Sequence, residues 1–111
     1  MTVTVTVLVP AQTINNTQTT MYTATGVTAI IDKFTATNYS AAAATISVNL
    51  VTAGGTAGNN DLIVKTKTLQ ASETYTFPEL VGHVLRPGGF ISTLAGTASA
   101  INIRVSGRVV T

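Results

Sequence analysis

The chain has 111 residues, a formal net charge of +2 and only 9% charged side chains, where an ordinary soluble domain carries about 25%. It contains no cysteine, which excludes disulfide frameworks, thiolate metal sites and cysteine nucleophiles, and no apolar run approaches the ~20 residues that span a bilayer as a helix. Twenty-two threonines beside a Val-rich and Ile-rich apolar set, with 5% aromatics and no Trp, suit pleated surfaces and point to one all-β domain with an aliphatic core. A disordered chain would be apolar-poor and charge-rich, the reverse of this composition.

Met1-Thr-Val-Thr-Val-Thr-Val lacks the basic and continuous apolar regions of a signal peptide. Its alternation predicts a strand from Thr2 to Val9, with Val3, Val5, Val7 and Val9 on one face and Thr2, Thr4 and Thr6 on the other, stopped by Pro10. Ala11 to Thr20 is polar and reads as a loop or extended arm. Residues 1–16 are therefore expected as an N-terminal strand or arm, and residues 17–111 as the main domain. Met21 to Thr25 is a short strand closed by Gly26. Val27 to Asn38 is a longer one, in which the Ile30-Ile31 doublet breaks simple alternation and predicts full cover or a bulge near Asp32-Lys33.

Four alanines, Ala41 to Ala44, are too few to nucleate a helix and are read as a turn into a strand from Thr45 to Val51, with Ile46, Val48 and Leu50 inward. Thr52 to Asp61 is a Gly-rich and Asn-rich connection. Leu62 to Leu69 is the next strand, expected to carry Lys65 and Lys67 on one face, followed by Glu73 to Phe77. Glu79 to Leu85 is assigned a single helical turn, and Arg86-Pro87-Gly88-Gly89 a chain reversal. Phe90 to Leu94 and Ala100 to Val110 complete the set. In the last strand Ile101, Ile103, Val105 and Val109 share the dry face, and Asn102, Arg104, Ser106 and Arg108 the wet one. About eight short antiparallel strands with regular turn signals predict a single-domain β-sandwich of jelly-roll type.

Little here is suited to catalysis. His83 is the only histidine and the carboxylates number four, Asp32, Asp61, Glu73 and Glu79. That is a thin set for a metal site or for the carboxylate pair of a glycosidase, so no cofactor, metal or enzymatic activity is expected. Gly54-Gly55-Thr56-Ala57-Gly58 lacks the Lys-Ser/Thr ending of a phosphate loop, and Asn59-Asn60-Asp61 reads as turn chemistry. Asn15-Asn16-Thr17 and Asn38-Tyr39-Ser40 match the glycosylation pattern by chance in a Thr-rich chain. The six cations are scattered, so neither nucleic acid nor membrane is an expected partner. Arg104 and Arg108 nevertheless share a strand face, with Lys65 and Lys67 on another strand. That patch either docks an acidic partner surface or merely solubilises.

Three stretches together carry a resemblance: Tyr22 to Asn38, Ala44 to Val51, and Leu80-Val-Gly-His-Val-Leu-Arg-Pro-Gly-Gly-Phe-Ile91. The pattern resembles small all-β virion proteins of tailed bacteriophages, most of all the capsid decoration (staple) proteins of short-tailed phages such as epsilon15. It covers roughly Met21 to Val110, and its motifs are structural. The resemblance implies a non-enzymatic protein on the outer surface of the virion that binds the major capsid protein and bridges neighbouring subunits. A tail, fibre or collar module, with host carbohydrate bound at Tyr22, Tyr39 and Tyr75, is the alternative it leaves open. The uncharged edge formed by Thr2, Val3, Thr4, Val5, Thr6 and Val7 is the expected partner-pairing segment, together with Arg104 and Arg108, and the protein is expected as a homo-oligomer.

Overall fold

Threonine, valine or isoleucine occurs in every segment that forms a strand. The computed structural model, which describes residues 1–111, contains nine: β1 (Val3–Thr13), β2 (Thr19–Thr23), β3 (Thr28–Asn38), β4 (Ala44–Val51), β5 (Leu62–Leu69), β6 (Thr74–Thr76), β7 (Val84–Leu85), β8 (Phe90–Ala95) and β9 (Ile101–Val110). They build two antiparallel sheets. The first runs β1-β9-β3-β6, with β7 also paired to β3, and the second runs β2-β8-β4-β5. Outgoing strands thus pair with returning ones, β1 with β9, β2 with β8, β3 with β6 and β4 with β5, which is the jelly-roll order.

The space between the sheets holds a cluster of 22 buried apolar residues, among them Val9, Ile31, Phe34, Ile46, Val48, Phe77, Ile91, Ile101, Ile103 and Val105. The two buried phenylalanines meet edge to face with centroids 5.3 Å apart, and Tyr75 packs edge-on against Phe77 at 4.8 Å. Thr93, wholly buried on the inward row of β8, is the one buried polar side chain whose hydroxyl finds no hydrogen-bond partner.

Many expected elements appear within a residue or two of their predicted bounds. The bulge near Asp32-Lys33 is present as a register shift between Ile31 and Lys33. Arg86 to Gly89 is a tight turn closed by the Gly89 N–H donating to the Arg86 carbonyl at 2.8 Å, with Gly88 at φ +88°, the backbone that position i+2 of a Pro-led turn requires.

Four details differ. Pro10 does not end the first strand: β1 continues to Thr13, because Pro10 lies on a sheet edge where no ladder bond is lost. Val3, Val5, Val7 and Val9 do not share one environment. The register slips between Val7 and Val9, so Leu8 and Val9 are both buried while Val3, Val5 and Val7 stay exposed. The helical turn expected in Glu79 to Leu85 is instead a run of tight turns leading into β7. Lys65 and Lys67 are separated by a register irregularity around Thr66, which has φ +45° and donates its N–H to Ser47 Oγ at 2.9 Å. Lys67 then reaches over the Tyr75 ring, 4.6 Å from its centroid.

Within residues 1–16 the structure draws a finer division. Residues 1–7 are exposed, whereas Leu8, Val9 and Ile14 belong to the core.

Candidate functional site

Period-two geometry fixes which side chains share a face, and the strand registers then assemble the outer face of the first sheet row by row. Val5 lies opposite Arg108, Arg108 opposite Ile30, and Ile30 opposite Val84. The adjacent rows are Val3, Val110 and Thr28 on one side and Val7, Ser106 and Lys33 on the other. Val5 is 78% exposed, and Val3, Val7 and Val84 are between 41% and 54% exposed. One end of this sheet therefore presents an apolar field crossed by Arg108 and bordered by the exposed Lys33, which makes no ion pair.

That arginine is already satisfied. Arg108 donates from Nε to both Asp32 oxygens at 3.0 and 3.1 Å and from Nη2 to Oδ1 at 2.8 Å, a fork geometry that lends direction more than stability at an exposed position. Arg104, four residues along the same face, makes no ion pair. Arg104 and Arg108 are thus brought to one face as expected, but only Arg104 offers an unneutralised charge. Lys65 borders a depression with Gln18, Ser47 and Asn49 of the second sheet and does not extend the arginine patch.

The far end of the same outer face is polar. Thr13 Oγ1 donates to Asn102 Oδ1 at 2.6 Å and lies 3.3 Å from the Tyr39 hydroxyl, and Thr37 and Thr74 hydroxyls meet across strands at 3.0 Å. Ala11, Thr35, Thr37, Tyr39, Asn102 and Arg104 rim a shallow depression of about 300 Å³ there. The three tyrosines do not converge. Tyr39 stands on this face, Tyr75 packs on Phe77, and Tyr22 is half-buried on β2, where burial pushes its phenol pKa up.

β1 forms one edge of the first sheet. Thr2 and Thr111 exchange both backbone hydrogen bonds at 3.0 Å, so the alternation of an antiparallel ladder turns the N–H and C=O of Thr2, Thr4 and Thr6 toward β9. Those of Val3, Val5 and Val7 point away from the sheet. This edge carries no charge, no proline before Pro10 and no covering loop, the usual protections of an exposed strand.

His83 is exposed, and its backbone carbonyl accepts from Ile31 N–H at 3.0 Å. No three His, Asp or Glu side chains gather. Asn38 of the glycosylation pattern is wholly buried. Asp61 is a latch: it accepts from Asn49 Nδ2 at 2.6 Å and from Gly58 N–H at 3.0 Å, while Asn49 Oδ1 accepts from Gln18 Nε2 at 3.2 Å. These bonds pin the 52–61 loop onto the second sheet. The Gly58 N–H, followed by the Asn49 amide, holds the Asp61 carboxyl below its usual value.

Since folding lowers that pKa, the Asp61 contribution is complete above the unfolded value, about 3.9, and fades as pH falls through the lower folded one. Thermal melts of the wild type and Asp61→Asn from about pH 6 to about pH 2.5 are expected to show the wild type ahead at neutral pH and the gap closing in acid. A gap independent of pH would remove the carboxylate from this role.

The β1 bulge that leaves Val3, Val5 and Val7 exposed and the Asp32–Arg108 pair escape sequence reasoning, since each depends on a strand far away in the chain. The one available signal was the lack of charge in Thr2 to Val9. No known protein family, curated protein or solved structure matches the chain.

Proposed function

We propose that this is a non-enzymatic structural protein of a bacteriophage virion, which binds the outer surface of the major capsid shell and stabilises it by bridging neighbouring subunits. The observation that carries the reading is the field of exposed Val3, Val5, Val7 and Val84 and half-buried Ile30 on one sheet face, beside the unpaired Arg104. Apolar side chains gathered on one face are expected of a surface that becomes interface. The resemblance of Tyr22 to Asn38, Ala44 to Val51 and Leu80 to Ile91 to phage decoration proteins supplies the partner, the major capsid protein, and the place, the virion exterior. Weak contacts of this size suit a protein repeated over a closed shell, where multivalency multiplies them.

Quantitative mass spectrometry of purified particles of the phage encoding this chain tests the reading. A copy number equal to that of the major shell protein, or a simple fraction of it, is expected. A handful of copies per particle would overturn the capsid assignment in favour of the tail or fibres, and a chain missing from particles would overturn both. On empty shells, Arg104→Glu is expected to weaken binding at low salt, with the difference fading toward about 1 M salt as the Debye length shrinks to about 3 Å. Binding indifferent to both would reduce Arg104 to a solubilising charge.

A further inference from the structure

We infer that β1 is a self-recognition edge, and that two copies of this chain join through antiparallel β1–β1 pairing about a two-fold axis at Val5. The inference needs no capsid and stands independently of the virion reading. Three observations carry it. The backbone groups of Val3, Val5 and Val7 face outward, as the Thr2–Thr111 pair and the ladder alternation require. Residues 3–7 are exposed on both faces, so a neighbouring strand meets no obstruction from the second sheet. The segment Val3-Thr-Val-Thr-Val7 is its own match when reversed.

That symmetry selects a register. With Val5 opposite the second copy's Val5, Val3 falls opposite Val7 and Val7 opposite Val3, and these are the residues whose N–H and C=O are free. About six inter-chain hydrogen bonds result. Thr4 falls opposite Thr6 in both directions, so hydroxyl meets hydroxyl on one face and valine meets valine on the other, both favourable cross-strand pairs. A heterologous partner strand would have to reproduce this alternation, and a second copy supplies it without any charge to repel.

The contact closes on itself. The register slip at Leu8 bends the edge and Pro10 offers no N–H, so pairing ends after Val7. An isologous contact of this kind forms a dimer instead of a filament. A paired segment five residues long spans only about 17 Å. It is smaller than standard stable interfaces, and a concentration-dependent dimer is the expected form. Pairing places the two outer faces side by side in one sheet, doubling the apolar field.

Sedimentation equilibrium of the full chain over a range reaching about 1 mM tests the pairing. The wild type is expected to pass from monomer to dimer. Val5→Lys and Val5→Glu, at a site 78% exposed and so harmless to the fold, are each expected to weaken self-association about fivefold or more, because like charges face each other on the axis. Mixing the two variants is expected to restore a dimer, now mixed in composition. A wild type that remains monomeric, or single variants that dimerise as the wild type does, would overturn self-pairing. A mixture that stays monomeric would overturn the register centred on Val5.

Discussion

Asn38→Ala is expected to cost about 3 kcal/mol, a large share of the roughly 5–15 kcal/mol that stabilises a domain. Asn38 closes β3 and is completely buried. Its Nδ2 donates to the Ala42 carbonyl at 2.8 Å and to the Leu69 carbonyl at 3.0 Å. Its Oδ1 accepts from the Ser40 N–H at 3.0 Å and from Ser40 Oγ at 2.7 Å. One amide thus shapes the Tyr39–Ala43 turn and ties the end of β5 to it. Alanine leaves these groups without partners. Those in the turn can recover water, but the Leu69 carbonyl, bonded to a residue with no exposure, cannot do so without opening the sheet.

Thermal unfolding should fall by roughly 12–24 °C, taking about 4–8 °C per kcal/mol for a domain near this size. Asn38→Asp should be no better, since it retains the acceptor and sets a carboxylate against two carbonyl oxygens. A loss under about 3 °C for the alanine variant would show that the turn is held by other contacts.

Gly107→Val is the second large effect, and it opposes the hydrophobic pattern. By alternation Gly107 belongs to the inward row of Ile103, Val105 and Val109, where valine looks like an improvement. Yet a Cβ built there overlaps the Ile30 carbonyl oxygen and lies 3.1 Å from Leu8 Cδ1. Backbone oxygen cannot turn aside as a flexible side chain can, so β3 and β9 would have to part beside the bulge, where Ile31 pairs with Gly107 and Lys33 with Ser106. The expected cost is about 3 kcal/mol or more, at the upper end of overpacking effects. Denaturant unfolding should register it as a lower midpoint with little change in slope. An unchanged midpoint would mean that the two strands can shift past each other at no cost. Gly107 also explains how Leu8 enters the core: only a residue without a side chain leaves room for it.

The two proposals bear on one surface without competing for it. Self-pairing uses the backbone edge of β1, whereas the apolar field uses side chains on the outer face of the same sheet. A dimer formed through that edge would offer two such fields, and two Arg104 charges, to one partner surface.

Alternation in β9 and the turn at Arg86 to Gly89 were legible from the chain alone, because both are local: side chains alternate with period two, and Pro87-Gly88 sets two consecutive backbone conformations. The Ile30-Ile31 doublet revealed its bulge for the same reason. The fate of Val3, Val5 and Val7 was not legible. They share the alternation of Val9, but a bulge set by the β9 register turns Leu8 and Val9 both inward and leaves the others on the wet side. Pro10 reads as a strand end, and only an unpartnered edge lets the strand pass through it. Lys65 and Lys67 read as one face until the irregularity at Thr66 divides them, and Arg108 reads as a free charge until the fold brings Asp32, 76 residues away, against it. Local geometry determines which side chains stand together on a strand. Which of those faces is covered depends on the sheet laid over it, and that is decided by pairings between distant strands.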